Sequence, residues 1–420
     1  MDGKISIAEA SILLGLSERQ IKRLRKGVTE KGEEAVKHGN TGKSPSTAIK
    51  GEERERIIEL YKSKYYGSNF EHFTEMLEVN ESISIGVTTI KRFLKASDIQ
   101  SPKKKRKPKK HARRKRREHE GALVQTDATP HDFFGTGEKY CLHGAVDDAT
   151  GKIVGLHMTK HECLEGYLNI FEQMIGNFGI PASIYADRHT IFSSTAANKL
   201  TLEDELAGKQ ANDTQLGRAM RELGITLIRA RSPQAKGRIE RLWATLQDRL
   251  VIEFRIHGVT DINAANQYLQ TFIPRYNQRF AVEAVETQSM FMPNTFDLIN
   301  ILCVREKRKL DNGSAFSYYG KYFVVIGGIP PGVSIEVIAH RKLGIFALYK
   351  GQRYDVYRID KPKRQKTIIP PALSIRPLPP KPLDSSYHKH GKESYIHYSS
   401  EYTDAEILAI LDDIFLKSFK

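Results

Sequence analysis

A chain of 420 residues exceeds what one hydrophobic core serves well, so several domains are expected. It is 40% hydrophobic without a run near the roughly 20 apolar residues of a membrane span, opens Met1-Asp2-Gly3-Lys4 without a signal-peptide core, and scatters Cys141, Cys163 and Cys303 without paired spacing. These features exclude a membrane protein, a disulfide framework and a cysteine zinc site and favour the cytoplasm, while a formal net charge of +16 calls for a polyanionic partner.

In residues 1–50, apolar Ile7, Ala10, Ile12, Leu13 and Leu14 predict a short helix stopped by Gly15. Ser17 and Gln20 then predict a capping box on a second helix. That helix turns Ile21 and Leu24 inward and Arg19, Lys22, Arg23, Arg25 and Lys26 outward, the pattern of a helix-turn-helix with a basic face for DNA. Residues 51–100 predict a second helical DNA-binding domain of three helices. In the last of them Ile90, Phe93 and Leu94 face in while Lys91, Arg92 and Lys95 face out. Residues 101–118 form a polybasic linker. Its stretch SPKKKRKPKKHARRKRR holds twelve Lys or Arg, among them Lys103, Lys104, Lys105, Arg106, Arg113, Arg114, Arg116 and Arg117. Such a density of cations repels itself, so the segment is expected to be extended and solvated and to hold duplex phosphates in a salt-sensitive way. A localisation signal is the plainer alternative.

Residues 119–300 have the most regular pattern. A strand is predicted around Ala122–Ala128, then two strands joined by a turn at Asp148-Ala149-Thr150-Gly151. An amphipathic helix closed by Gly179 follows, then a strand ASIYAD, a helix ended by Gly224, a strand ITLIRA and a long helix from KGRIERLW onward. This order predicts an α/β layer of ribonuclease H type. Ser193–Ala211 is expected to be an inserted loop. Residues 312–360 switch to short β-branched and aromatic strands, four or five of them, which predict a small β-barrel serving either DNA or protein contacts. Residues 361–420 are expected to be an extended Pro-rich tail ending in a helix whose stripe is Ile407, Leu408, Ile410, Leu411, Ile414 and Phe415.

Three acids stand where this layer would gather them: Asp127 near the end of the first strand, Asp187 at the end of ASIYAD and Glu240 in the first turns of the long helix. Carboxylates suit Mg²⁺, a hard cation, and a pair of such ions can activate an attacking water or 3′-hydroxyl and stabilise the departing oxygen. Asp147 and Asp148 compete for this role, but they precede a glycine turn, where Asp serves local hydrogen bonds. Lys236 lies one turn before Glu240 on the same face and could reach a phosphate. Arg238 is turned toward flanking DNA or acids of the fold, and Trp243, the single tryptophan, is read as core rather than as a base-stacking platform.

The pieces QTDAT, AVDDATGKIVG, YADRHTIF, SPQAKGRIERLW and PRYNQRF resemble the catalytic core of DDE transposases and retroviral integrases. With the helical front end and the barrel behind, residues 1–360 are most similar to bacterial insertion-sequence transposases of the ISNCY group. The resemblance implies Asp127, Asp187 and Glu240 as both catalytic residues and metal ligands, for two Mg²⁺ ions that Mn²⁺ can replace. It implies that terminal inverted repeats of a mobile element are bound and cut by hydrolysis, with the 3′-hydroxyls joined to target DNA. Double-stranded DNA in the bacterial nucleoid is then the partner, and handling two ends together implies a homodimer or larger assembly. Tyr276, Asn277 and Arg279 resemble the family's YN..R element, expected to hold the end of the domain. Two departures stand out. Asp187 and Glu240 are 53 positions apart, more than in many relatives, which the expected loop accommodates. His189 stands where relatives often have Gly, and would touch DNA or serve as a plain loop residue. A metal-dependent nuclease that never joins, and a regulator that kept the fold and lost the chemistry, are the rival readings.

Overall fold

The computed structural model describes residues 5–37, 41, 49, 51–102, 114–186, 191–192, 214–229, 236–360 and 404–417. The chain divides into two compact units, Met1–Tyr66 with Ile85–Gln100, and Gly67–Ser84 with Ser101–Lys420.

In the first unit α1 (Ile7–Leu14) stops at Gly15, and α2 (Glu18–Lys31) opens on the Ser17–Gln20 capping box. An unanticipated second box, Ser6 with Glu9, opens α1. α2 buries Ile21, half-buries Leu24 and leaves Arg19, Lys22, Arg23, Arg25 and Lys26 exposed, so the predicted inward face is only partly covered. α1 leaves Ile12, Leu13 and Leu14 exposed. α3 (Gly51–Ser63) packs on α5 (Val87–Ala96), with the Arg54 guanidinium 5.5 Å from the centroid of the Phe93 ring. α5 buries Ile90, Phe93 and Leu94 and exposes Lys91, Arg92 and Lys95, so its apolar spacing is realised.

The second unit is built on a five-stranded sheet of β1 (Val124–His131), β2 (Tyr140–Asp147), β3 (Ile153–Thr159), β4 (Ser183–Ala186) and β5 (Thr226–Arg229). The strand order is β3-β2-β1-β4-β5, antiparallel from β3 to β1 and parallel from β1 to β5, the ribonuclease H-like arrangement that the element order implies. β2 is buried on both faces. Ala145 lies in the core with α6 (Leu164–Asn177), while Leu142 and Val146 pack with α8 (Gly237–Ile256) and α9 (Ile262–Phe280). Between β4 and β5 runs α7 (Gln215–Glu222). Gly155 on β3 permits the close approach of α6, since a Cβ there would lie 2.6 Å from the Ile170 carbonyl oxygen.

β3 is an edge strand, and an open edge exposes backbone donors and acceptors to stray pairing. Three side-chain amides close it. Asn277 accepts from the Ile153 N–H (2.7 Å) and donates to its carbonyl (2.8 Å). Gln173 does the same for Leu156 (3.1 and 3.0 Å), and Asn266 for Met158 (2.7 and 3.0 Å). The asparagine of the YN..R element is therefore structural.

The second unit also includes α4 (Phe70–Glu81). Its N-cap, Asn69, bonds Asp248 on α8. Glu75 takes Arg249 (2.8 Å) and Arg279 (3.1 Å), and buried His72 lies 3.3 Å from Glu253. Burial alone would push the Glu253 carboxyl up. Hydrogen bonds from His72 and Tyr268, with the Arg275 charge, bring it down to about 2.

After the short helix α10 (Leu298–Ile301), six strands form a strongly curled antiparallel sheet, β6 (Val304–Lys309), β7 (Ala315–Tyr318), β8 (Lys321–Val325), β9 (Ser334–His340), β10 (Gly344–Tyr349) and β11 (Gln352–Ile359). The order is β6-β9-β10-β11-β8-β7, and Arg308 of β6 donates to the Ser317 carbonyl of β7 (3.2 Å), so the two ends nearly meet as a barrel. β6 precedes the expected limit at residue 312. Its sequence, VREKRK, is charged because it forms one margin of the sheet, so it carries no apolar run. α11 (Asp404–Phe415) buries Ile410, Leu411, Ile414 and Phe415 among residues of β10 and α6 and leaves Leu408 exposed. The Pro-rich tail, the Ser193–Ala211 loop and residues 103–113 of the linker lie outside the described residues.

Candidate active site

β1 is a central strand, and Asp127 sits on it directly across from Gly144 of β2. A Cβ on Gly144 would lie 2.5 Å from Cη2 of Trp243, so the missing side chain makes room for the indole ring. Trp243 is buried, as core packing requires, and a buried indole N–H needs an acceptor. That acceptor is Asp127, whose Oδ2 lies 3.3 Å from Nε1. The other carboxylate oxygen, Oδ1, receives the Lys236 ammonium at 2.9 Å. The lysine side chain is only 10% exposed and that of Asp127 22%, so this ion pair is shielded from bulk water.

The start of α8 is fixed against β1 by Gln125, a fully buried amide. Its oxygen accepts from the Ile239 N–H (3.3 Å) and its nitrogen donates to Asp148 (3.0 Å). Further along, Gln247 donates to Thr129 (2.9 Å). Glu240 therefore follows a residue whose backbone is tied to β1. Residues three and four apart share a helix face, so Lys236 and Trp243, both bonded to Asp127, bracket Glu240 on the face turned toward that carboxylate. Glu240 itself is exposed, and no hydrogen bond or ion pair engages it among the described residues.

Asp147 and Asp148 are committed to the fold, as the glycine turn suggests. Asp147 accepts from the Thr150 N–H (2.8 Å), the Thr150 hydroxyl (2.7 Å) and the Gly121 N–H (2.9 Å). Burial pushes its carboxyl up, against the lowering effect of those bonds. Asp148 accepts from the Arg117 N–H (2.9 Å), pairs with Arg114 and lies 3.5 Å from Arg238 Nε. Arg116 donates to the Ala149 carbonyl (3.0 Å). The end of the basic segment is thus docked on the β2–β3 turn, with the Arg117 side chain exposed.

Asp187 directly follows β4, the parallel neighbour of β1, and like His189 and Arg113 it lies outside the described residues. Among the described residues no group of three His, Cys, Asp or Glu is placed to hold a metal. The donor chemistry nevertheless fits a hard divalent cation. Asp127 already binds a cation through one oxygen, the Lys236 ammonium standing where positive charge is wanted, and the facing Glu240 is uncommitted. Gln125 and Gly144 were not found from sequence, and Lys236 and Trp243 were singled out there without their bonds to Asp127. The signals available were a polar residue and a glycine inside otherwise apolar strands.

Residues 117–215 match the integrase core domain family. The transposase for insertion sequence IS1202 of Streptococcus pneumoniae is 34% identical over 355 residues, covering 77% of this chain and 75% of that protein. The y4bF protein of Sinorhizobium fredii (strain NBRC 101917 / NGR234), named as a transposase, is 30% identical over 322 residues, 76% of this chain and 68% of that protein. Among solved structures, the HTLV-2 integrase catalytic core domain in complex with magnesium is 21% identical, with a TM-score of 0.25 over 36% of this chain and 86% of that one. A chain of the simian T-cell lymphotropic virus intasome in complex with PP2A regulatory subunit B56 gamma is 15% identical, with a TM-score of 0.29 over 73% of this chain and 100% of that one.

Proposed function

Because the chain belongs to the DDE-type transposases of the integrase superfamily, as a transposase of insertion sequences and hence a polynucleotidyl transferase, we propose that Asp127, Asp187 and Glu240 are the acids at which it cuts and joins DNA. The observation that carries this reading is that Lys236 and Trp243, one turn either side of Glu240, both bond the carboxylate of Asp127. Asp187 is proposed because in sequence it follows β4, the strand that pairs with β1. Two Mg²⁺ ions, or Mn²⁺ in their place, would be held by these carboxylates and would supply activation of the attacking hydroxyl and neutralisation of charge at the phosphate. The chain's own part is positional. Gln125 fixes where α8 begins, Trp243 orients Asp127, and Gly144 leaves room for the ring.

The exposed cations of α2 (Arg19, Lys22, Arg23, Lys26) and α5 (Lys91, Arg92, Lys95) are proposed to read the terminal inverted repeats as helix-turn-helix units. The linker residues Lys103, Lys104, Lys105, Arg106, Arg113, Arg114, Arg116 and Arg117 would hold the backbone without sequence preference. His189, Lys236 and Arg238 are proposed to meet DNA near the acids, Arg238 while it faces Asp148. Two ends are handled together in a homodimer or larger assembly on DNA.

The test is a labelled duplex carrying the gene's own flanking end, incubated with the full chain and Mg²⁺ or Mn²⁺ beside Asp127→Asn and Glu240→Gln. Cleavage at the repeat boundary and joining to target DNA by the wild type, with binding but neither reaction in the variants, is expected. Cleavage without joining would mark a nuclease. Tight binding without metal-dependent chemistry would leave a DNA-binding regulator and refute the proposed chemistry.

A further inference from the structure

The carboxylate of Asp127 has both oxygens engaged, Oδ1 by the Lys236 ammonium at 2.9 Å and Oδ2 by the Trp243 indole N–H at 3.3 Å. The lysine is a fixture rather than a passing surface contact. Its side chain is 10% exposed, and it immediately precedes α8, whose next turn is pinned to β1 through Ile239 and Gln125. An ammonium and a divalent cation on the same carboxylate repel each other, and a Mg²⁺ ion needs its oxygen ligands closer, at about 2.0–2.1 Å.

We propose that Lys236 is a latch on the metal site: its ammonium holds Asp127 when metal is absent and must leave that carboxylate for a divalent ion to bind. This rests on the reading of Asp127 as a metal ligand. The latch neutralises a half-buried acid that would otherwise face Glu240, and it makes metal affinity a competition with a side chain of the same protein. The released ammonium would then turn to the abundant anion of the substrate, a DNA phosphate. Lys236 thereby acts as a positioning residue in the resting chain.

The structure also supplies the reporter. Trp243 is the only tryptophan and its N–H is bonded to the carboxylate in question, so an ion arriving at Asp127 alters its emission. The experiment titrates the full-length chain with Mn²⁺ and with Mg²⁺, following Trp243 fluorescence and, for Mn²⁺, the free-ion electron paramagnetic resonance signal. Wild type is compared with Lys236→Met, Lys236→Gln, Lys236→Arg and Asp127→Asn, after circular dichroism confirms that each is folded. Lys236→Met and Lys236→Gln, alike uncharged but different in shape, are both expected to tighten metal binding about tenfold, equivalent to about 1.4 kcal/mol. Lys236→Arg, which keeps the charge, is expected to stay near wild type. Unchanged or weaker affinity in both uncharged variants, while Asp127→Asn abolishes binding, would overturn the latch and leave the metal site standing. Asp127→Asn titrating like wild type would overturn both, because the ion would then bind elsewhere.

Discussion

Placing a methyl group on Gly144 tests the contact that aims Trp243 at Asp127. The added Cβ would meet Cη2 of the indole at 2.5 Å, Leu156 Cδ2 at 3.1 Å and Cζ3 of the indole at 3.2 Å. Ordinary carbon contacts are about 3.5–4.0 Å, so the ring or β2 must retreat by about 1 Å. Neither moves freely, since the ring is buried beside Leu246 and Leu250 and β2 is paired on both sides. Overpacking of this kind costs about 1–3 kcal/mol. Gly144→Ala is therefore expected to unfold at lower urea concentration and to shift Trp243 emission, because the N–H is pulled from its acceptor. Gly176→Ala is the matched control. That glycine lies exposed near the end of α6 with no heavy atom within 4 Å of a new Cβ, so alanine there is neutral or stabilises by up to about 1 kcal/mol. Combining Gly144→Ala with Trp243→Leu should recover part of the loss, a coupling of at least about 0.5 kcal/mol. Urea unfolding followed by circular dichroism reads wild type, Gly144→Ala, Trp243→Leu, the double variant and the control. Wild-type stability and unchanged emission in Gly144→Ala would refute the packing argument.

Asn277→Ala strips both backbone groups of Ile153 of their partners, and at about 1–3 kcal/mol for each stranded buried group it is expected to lower stability by about 2–6 kcal/mol in urea melts. Light scattering should also rise as the β3 edge opens, and an unaltered melt would argue against the edge-closing role. Glu75→Ala leaves Arg249, whose side chain is 9% exposed, without its carboxylate, and a cost of about 3–5 kcal/mol is expected in the same assay. Proteolysis at α4 should accelerate in that variant, whereas wild-type protection would show the pair to be dispensable. Burial holds His143 at about 3 and His157 at about 4, below the ordinary 6.5, so the folded chain keeps both neutral while the unfolded chain takes up protons below 6.5. Stability is thus full above 6.5 and falls toward 4, with a slope of up to about 2.7 kcal/mol per pH unit for two protons. A melting temperature independent of pH across that window would contradict their burial.

Elements whose signal is local were legible. The Ser17–Gln20 box, the inward spacing of Ile90, Phe93 and Leu94, and the turn after Asp147 each depend on residues a few positions apart, and each forms as read. The closure of β3 was not legible, because Gln173 and Asn266 are unremarkable polar residues, and Asn277 was marked by resemblance alone, until the sheet order makes β3 an edge beneath two helices. α4 shows the same limit. Its amphipathic pattern predicts a helix, yet Glu75 and Arg249, 174 positions apart, announce nothing of their pairing.

For the candidate site, the residue types were readable and the geometry around them was not. Asp127 and Glu240 stand out because acids at a strand and at the start of a long helix match a metal-carboxylate logic. Which face of α8 is turned toward Asp127 depends on the rotation of the helix about its axis, and that rotation is held by the Gln125 bond and by the room Gly144 leaves for Trp243, neither residue having reactive chemistry. Reading Trp243 as core was correct for the ring but incomplete for its N–H, whose acceptor is the candidate ligand itself. Lys236 was placed on the right face, one turn from Glu240, with a phosphate as its expected partner. The structure gives it a carboxylate, that of Asp127, in a pair shielded from bulk water.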